Sequence, residues 1–195
     1  MNIGRPREFD SDQALRAAMQ VFWSKGYEAT SLTDLIEAMK ISKSSFYQTF
    51  QGKHQLFENC IVHYQDRFIS DMTDALEKAK TGRAFIEKTF NEMADKAKPN
   101  CDRRGCLIVN CVSEFAQKDP VIAALITKSI QKITDVFLTA IKRAQQEGDI
   151  SKNKNPRPLA RYLLSSMHGL TAMVKAGASP TEIREVSRVV LTALD

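Results

Sequence analysis

The sequence predicts an all-α fold in two parts, a small N-terminal domain over residues 1–52 and a larger helical domain over residues 53–195. Three observations carry this. Apolar residues recur at i, i+3 and i+4 through most of the chain, the spacing of helices that bury one side. Capping residues stand where those stripes begin: Asp10, Ser31, Ser42, Asp119 and Ser179, the last two followed by proline. Only the run from Cys106 to Val112 is short, apolar and branched enough to be a buried strand, and with helical patterns on every side it reads better as a buried helix.

Composition narrows the class. With 43% hydrophobic and 26% charged residues, the chain is globular in character rather than disordered. No apolar run approaches the roughly 20 residues that span a bilayer, so no membrane partner is expected. The opening MNIGRPREFD lacks the apolar core of a signal peptide, which makes the cytoplasm the expected compartment. A net charge of +5 is compatible with a nucleic-acid partner, but where the charges fall is the better guide.

The elements follow in order. Residues 1–9 form an arm in which Gly4-Arg5-Pro6-Arg7 is extended by its proline and presents two guanidinium groups, Arg5 and Arg7. Such groups are drawn to a narrow DNA minor groove. The first helix starts at Asp10, buries Ala14, Leu15, Ala18, Val21 and Phe22, places Trp23 in the same small core, and closes at Gly26 with a left-handed cap. Ser31 and Asp34 form a capping box for the second helix, with Leu32, Leu35, Ile36 and Met39 on its apolar side. Met39-Lys40-Ile41 leaves room only for a turn. Ser42 caps a third helix that turns Phe46 and Phe50 inward, while Lys43, Ser44, Ser45, Tyr47, Gln48 and Thr49 all carry hydrogen-bonding groups. No carboxylate occurs between Glu37 and Glu58, whereas Lys40, Lys43 and Lys53 fall inside that window. A helix buried on one side, polar and positive on the other, and preceded by a tight turn is a helix-turn-helix suited to the major groove.

A long helix begins near Lys53 and carries Phe57, Cys60, Ile61, Tyr64, Phe68, Met72 and Leu76 toward Ala79, a rod of about 40 Å suited to mechanical coupling. Gly82 marks the break before a helix from Arg83 to about Lys96, with Phe85, Ile86, Phe90 and Met93 apolar. After the loop 98–105 and the Cys106 helix, Asp119-Pro120 opens a helix through Ile122, Leu125, Ile126, Ile130, Ile133, Phe137 and Ile141, ending near Gly148. Beyond the turn at 152–156, Leu159, Tyr162, Leu163, Leu164, Met167, Leu170, Met173 and Val174 cover too much of one helix to face a single neighbour. The final helix, from Ser179-Pro180, has Ile183, Val186, Val190 and Leu194 on one stripe. Two oily C-terminal helices leave surface for a second copy of the chain.

The four cysteines, Cys60, Cys101, Cys106 and Cys111, are expected as thiols. The spacing C-x4-C-x4-C, with no paired histidine, is not that of a zinc site, so neither a metal nor a cofactor is expected. Cys106 follows Arg103-Arg104-Gly105 at an expected helix N-terminus, where dipole and guanidinium charge both favour a thiolate.

The segment from Gly26 to Leu35, with Ile41-Ser42-Lys43, Phe46-Tyr47 and Phe50, resembles the signature of the tetracycline-repressor (TetR) family over about the first 60 residues. The resemblance implies a homodimeric all-helical transcriptional regulator, a repressor in sign, that binds double-stranded DNA at a near-palindromic operator. It also implies dimerisation through the last two helices and release by a small-molecule effector or a thiol reaction. It places direct readout on Lys43, Ser44, Ser45, Gln48 and Thr49, and phosphate anchoring on Thr30 or Ser31, Tyr47 and Lys53. The effector pocket it implies lies among Ile86, Phe90, Met93, Ile108, Cys111, Val112, Phe115, Met167 and His168. Some regulators resembling this chain carry G-C-L at the place of Cys106 and sense electrophiles or oxidants there. The chain departs from the pattern at Lys40, where glycine is common in the turn, at Ser44, where glycine or proline is frequent, and at His54, where a carboxylate is common. Two other classes compete with this one, a thiol-based redox protein and a helical small-molecule-binding module without DNA binding. Against an enzyme stand the missing C-x-x-C, the lack of a strand-rich redox fold and the absence of a phosphate-binding glycine loop.

Overall fold

The computed structural model describes residues 9–195, all of whose regular structure is helical. Arg5 and Arg7 lie outside the described residues. The elements are α1 (Ser11–Lys25), α2 (Leu32–Met39), α3 (Lys43–Phe50), α4 (Lys53–Lys78), α5 (Gly82–Lys96), α6 (Leu107–Phe115), α7 (Pro120–Glu147), α8 (Pro156–Lys175) and α9 (Pro180–Leu191), with a last 3-10 turn at Thr192–Leu194. The run expected as a buried helix is α6. Contacts divide the chain into two compact units, 1–64 and 65–195. That division falls inside α4, twelve residues after the boundary expected from the sequence, because the first turns of α4 bury Leu56, Phe57, Cys60 and Ile61.

In the first unit, α1 starts where Asp10 accepts from the amides of Asp12 and Gln13. It packs against α2 and buries Ala14, Ala18, Met19 and Phe22. Gly26 ends it with φ 80° and ψ 169°, a correction to the left-handed cap expected. The positive φ still calls for glycine, but the extended ψ sends the chain straight on toward α2. Phe22, Tyr27 and Phe57 form an aromatic knot, with Phe22 edge-on to Phe57 at 4.8 Å and Tyr27 4.9 Å from Phe57. Trp23 packs edge-on against Tyr64 at 5.1 Å.

The second unit has one large core, drawn from the end of α4 and from α5, α7, α8 and α9 around Phe90 and Phe137. Its last three helices begin alike: Asp119, Asn155 and Ser179 cap α7, α8 and α9, and a proline opens each. Polar bonds fix how the helices lie on one another. Ser129 Oγ lies 2.6 Å from Gln65 Oε1 and 2.8 Å from the Leu125 carbonyl. Arg143 donates to the carbonyls of Leu76, Ala79 and Lys80 at the end of α4, and Glu147 accepts from the Gly82 amide at the start of α5. One α7 turn therefore caps both sides of the α4–α5 joint, negative end with cation and positive end with anion.

Candidate nucleic-acid interface

Local chemistry builds the α2–α3 unit. Ser31 Oγ accepts from the Asp34 amide at 3.1 Å, and Asp34 Oδ2 accepts from the Ser31 amide at 2.8 Å, completing the capping box. Lys25 Nζ reaches Asp34 Oδ1 at 2.6 Å and ties α1 to this cap. The Lys25 ammonium, then the Ser31 amide and hydroxyl, hold the Asp34 carboxyl down at about 2. Lys40 takes the left-handed conformation, φ 54° and ψ 43°, and its amide and that of Ile41 reach back into α2. Lysine there costs about 1 kcal/mol relative to the glycine common at this turn. Ser42 then accepts from the Ser45 amide at 3.1 Å and starts α3.

Leu35, Met39, Phe46 and Phe50 anchor the pair from below. On the outer side, Lys43, Ser44, Tyr47 and Gln48 are exposed, with Ser45 and Thr49 half-buried at the flanks. Tyr47 keeps 48% of its surface exposed, and its ring lies edge-on to Phe46 at 5.3 Å. Ser42, Ser44 and Ser45 share hydroxyl contacts of 2.9 Å, a polar rim at the helix start. Among the described residues Lys40, Lys43 and Lys53 form no ion pair. Glu58, the carboxylate nearest in sequence to Lys53, is engaged by His54 Nδ1 at 2.8 Å and by Gln55 Nε2 at 3.3 Å. Lys53, the first residue of α4, has its ammonium 4.2 Å from the centroid of the Tyr27 ring.

Thr30 requires a correction. Its side chain is 1% exposed and its hydroxyl donates to the Gly26 carbonyl at 2.6 Å, so it secures the α1–α2 bend and has no free hydroxyl for a phosphate. Ser31, beside it, is exposed. Tyr27 is the residue that sequence reasoning passed over. Its signal was an aromatic one position after the α1 cap glycine, but a contact with a lysine 26 positions on is not encoded by spacing.

The expected effector residues sit in the second unit. Ile86, Phe90, Met93 and Met167 belong to its main core, and Ile108, Cys111 and Phe115 line the buried side of α6. Val112 is 37% exposed on the outer side of α6, a correction to its expected place among the inward residues. Burial pushes the His168 imidazole below its usual range, and its buried Nε2 has no hydrogen-bond partner. Burial also pushes the Cys60 thiol far up and that of Cys111 up to about 12, while Cys101 is exposed and Cys106 half-exposed. Cys106 occupies the N-cap position of α6. In the loop before it, Arg104 pairs with Asp102 at 2.6 Å and the Asn110 amide donates to the Arg104 carbonyl at 3.0 Å. The outer faces of α8 and α9 expose Tyr162, Val186 and Val189, the last at 67%. No described helix is long and apolar enough to cross a membrane.

Comparison with known proteins agrees with this geometry. Residues 14–60 match the family model of bacterial regulatory proteins, tetR family, and residues 82–190 match that of the tetracyclin repressor-like C-terminal domain. The chain is 29% identical over 194 residues to the uncharacterised HTH-type transcriptional regulator YezE of Bacillus subtilis, covering 99% of this chain and 100% of that protein. It is 28% identical over 189 residues to the HTH-type transcriptional repressor ComR of Escherichia coli, covering 96% and 90%. Among solved structures, a cysteine mutant of the TetR family regulator CifR bound to a 26-bp operator superposes with a TM-score of 0.86 at 28% identity, covering 98% of this chain and 100% of that one. Reduced NemR of E. coli shares the fold, with a TM-score of 0.84 at 16% identity over 92% of this chain and 93% of that one.

Proposed function

The chain belongs to the tetR family of bacterial regulatory proteins, and from that premise we propose that it represses transcription in the cytoplasm by occupying a near-palindromic operator as a homodimer. The observation that carries this reading is the outer side of α3, where Lys43, Ser44, Tyr47 and Gln48 stand exposed on a base of buried Phe46 and Phe50. Gln48 suits bidentate pairing with adenine and Lys43 suits the acceptors of guanine. Tyr47, Ser31 and Lys53 serve the phosphates, Lys53 at the N-terminus of α4, whose dipole favours an anion. CifR is solved on operator DNA and ComR is named a repressor, which supports both the partner and the sign.

The dimer forms through α8 and α9, whose exposed Tyr162, Val186 and Val189 call for an apolar partner. A two-fold pair sets the recognition helices about one DNA turn apart, hence the palindrome. Release follows an event in the second unit. A small-molecule effector is read by inward residues of α5, α6 and α8 around Phe90, Cys111, Met167 and His168. A second route is modification of Cys106, supported by its half-exposed place at the head of α6. Either route needs a coupling of only about 1–3 kcal/mol to lower operator affinity roughly 5- to 150-fold.

Selection of bound duplexes from a random pool tests the reading. A palindrome is expected, with binding that weakens steeply as salt rises and is lost in Tyr47→Ala. A pool with no enriched sequence would refute it. For the thiol route, iodoacetamide should label Cys106 of the native protein faster than free cysteine; an equal or slower rate leaves the effector route alone.

A further inference from the structure

The window between Glu37 and Glu58 holds three lysines, and one of them has a defined seat. Lys53 Nζ lies 4.2 Å from the centroid of the Tyr27 ring, within the range of a cation–π contact. The ring itself is fixed by its surroundings: it stacks on Phe22 at 6.0 Å and 15°, leans on Phe57 at 4.9 Å, and meets the His54 ring edge-on at 6.4 Å. We propose that Tyr27 is a positioning residue for operator binding, whose ring holds the Lys53 ammonium at the head of α4 so that its open side receives a DNA backbone phosphate. This rests on the DNA-binding reading given above.

The chemistry of the partner is what gives the contact its meaning. Lys25, paired with Asp34 at 2.6 Å, has its charge countered by a carboxylate. An aromatic face attracts an ammonium without cancelling its charge, and leaves its N–H donors pointing away from the ring for an oxygen acceptor. Glu58, the carboxylate nearest to Lys53 in sequence, is engaged by His54 and Gln55. Lys53 also opens a 26-residue helix, whose first amides and dipole favour an anion at the same place. A flexible lysine pays rotamer entropy when it docks on a phosphate, and a chain already leaning on a ring has less freedom to lose. Tyr27 thereby improves affinity without touching DNA.

The test is a double-mutant cycle on the full chain, using the duplex enriched from the random pool. Tyr27→Leu, present in both protomers, is expected to weaken binding of the dimer about 5- to 30-fold, the equivalent of two exposed cation–π contacts of about 0.5–1 kcal/mol each. Tyr27→Phe should retain wild-type affinity. In a Lys53→Met background, which removes one phosphate contact per protomer and should itself lower the salt slope of the dimer by about 1.8, Tyr27→Leu should cost nothing further. Equal losses from Tyr27→Leu in both backgrounds, or a Tyr27→Phe as weak as Tyr27→Leu, would overturn the proposal while leaving DNA binding intact. If Tyr27→Leu melts the aromatic knot, phenylalanine analogues of increasing fluorination at position 27 keep the ring's shape while weakening its face. Affinity should then fall stepwise with fluorine count, and a flat series overturns the idea. Failure to enrich any duplex would instead bring down the reading on which it rests.

Discussion

Gly82→Ala separates two lines of reasoning by the sign of its effect. Judged by helix propensity, alanine inside a helix is better than glycine by up to about 1 kcal/mol. Nothing in the backbone of this residue objects, since Gly82 is not among the glycines at positive φ. Packing says the opposite. A Cβ built at Gly82 would lie 2.2 Å from the Ala140 carbonyl oxygen and 2.7 Å from the Ala144 nitrogen, and real Cβ atoms essentially never approach within 3.0 Å. Both obstacles are backbone of α7, so no side chain can swing aside. The start of α5 would have to retreat by about 1 Å, and overpacking of that kind costs about 1–3 kcal/mol. The retreat also pulls the Gly82 amide from Glu147 Oε2, now at 2.8 Å. A hydrogen bond to a charged group contributes about 1.5–3 kcal/mol. Together these give a loss on the order of 3–5 kcal/mol, which at about 2–4 °C per kcal/mol for a chain of this size lowers Tm by on the order of 10 °C. Thermal melts by circular dichroism, at one fixed protein concentration because dimerisation shifts Tm, provide the measurement. A variant that melts at or above the wild-type temperature would refute the close approach of α5 and α7.

Three further outcomes are expected. Ser129→Ala should destabilise by about 1–3 kcal/mol, because it leaves the buried Gln65 without its hydroxyl contact, and adding Gln65→Leu should recover part of the loss in urea titrations; additive losses would show the pair to be uncoupled. Asp34 lies below its unfolded value of 3.8, so what it contributes is complete above about pH 3.8 and lost as pH falls toward about 2. Acid titration of Asp34→Asn should therefore lack that limb, and an unchanged curve would refute the Lys25–Asp34 account. Val189→Arg, at a site 67% exposed, should convert dimer to monomer in light scattering with its helical circular dichroism unchanged; a dimer of undiminished affinity would move the interface elsewhere.

Much of the fold is written locally. Asp10, Ser31, Ser42, Asp119 and Ser179 cap the helices expected of them, since a cap needs only its own side chain and the next three amides. The outward residues of α3 were legible for a similar reason: once Phe46 and Phe50 are buried, helical periodicity leaves Lys43, Ser44, Tyr47 and Gln48 outside. What escaped was set by partners distant in sequence. Thr30 has the composition of a phosphate anchor, yet the bend at Gly26 brings a carbonyl to its hydroxyl. The sequence pattern starts α5 at Arg83, but Thr81 caps it and Gly82 is its first residue, because contact with Ala140 selects glycine where propensity would reject it. Val112 falls inside an apolar run, and only the angle at which α6 lies decides that it faces out. Gln65–Ser129 and the carbonyls gathered by Arg143 bridge more than 60 positions, beyond any local rule.

The same distinction between local and distant partners changes how the basic charge should be read. A net charge of +5 spread over 195 residues is weak evidence for a nucleic-acid partner. What matters is how many cations are left uncompensated where a polyanion would lie. Lys25 is neutralised by Asp34, Arg104 by Asp102, and Lys132 by Asp66. Lys40, Lys43 and Lys53 form no such pair among the described residues. His54, one residue after Lys53, engages the Glu58 carboxylate. Each uncompensated lysine that meets a phosphate releases a counterion, and each one already bound to a carboxylate must first give up that partner. On this ground Asp34→Asn, which frees Lys25, should steepen the salt dependence of operator binding if Lys25 lies within reach of a phosphate, and leave it unchanged if Lys25 serves only the α1–α2 bend.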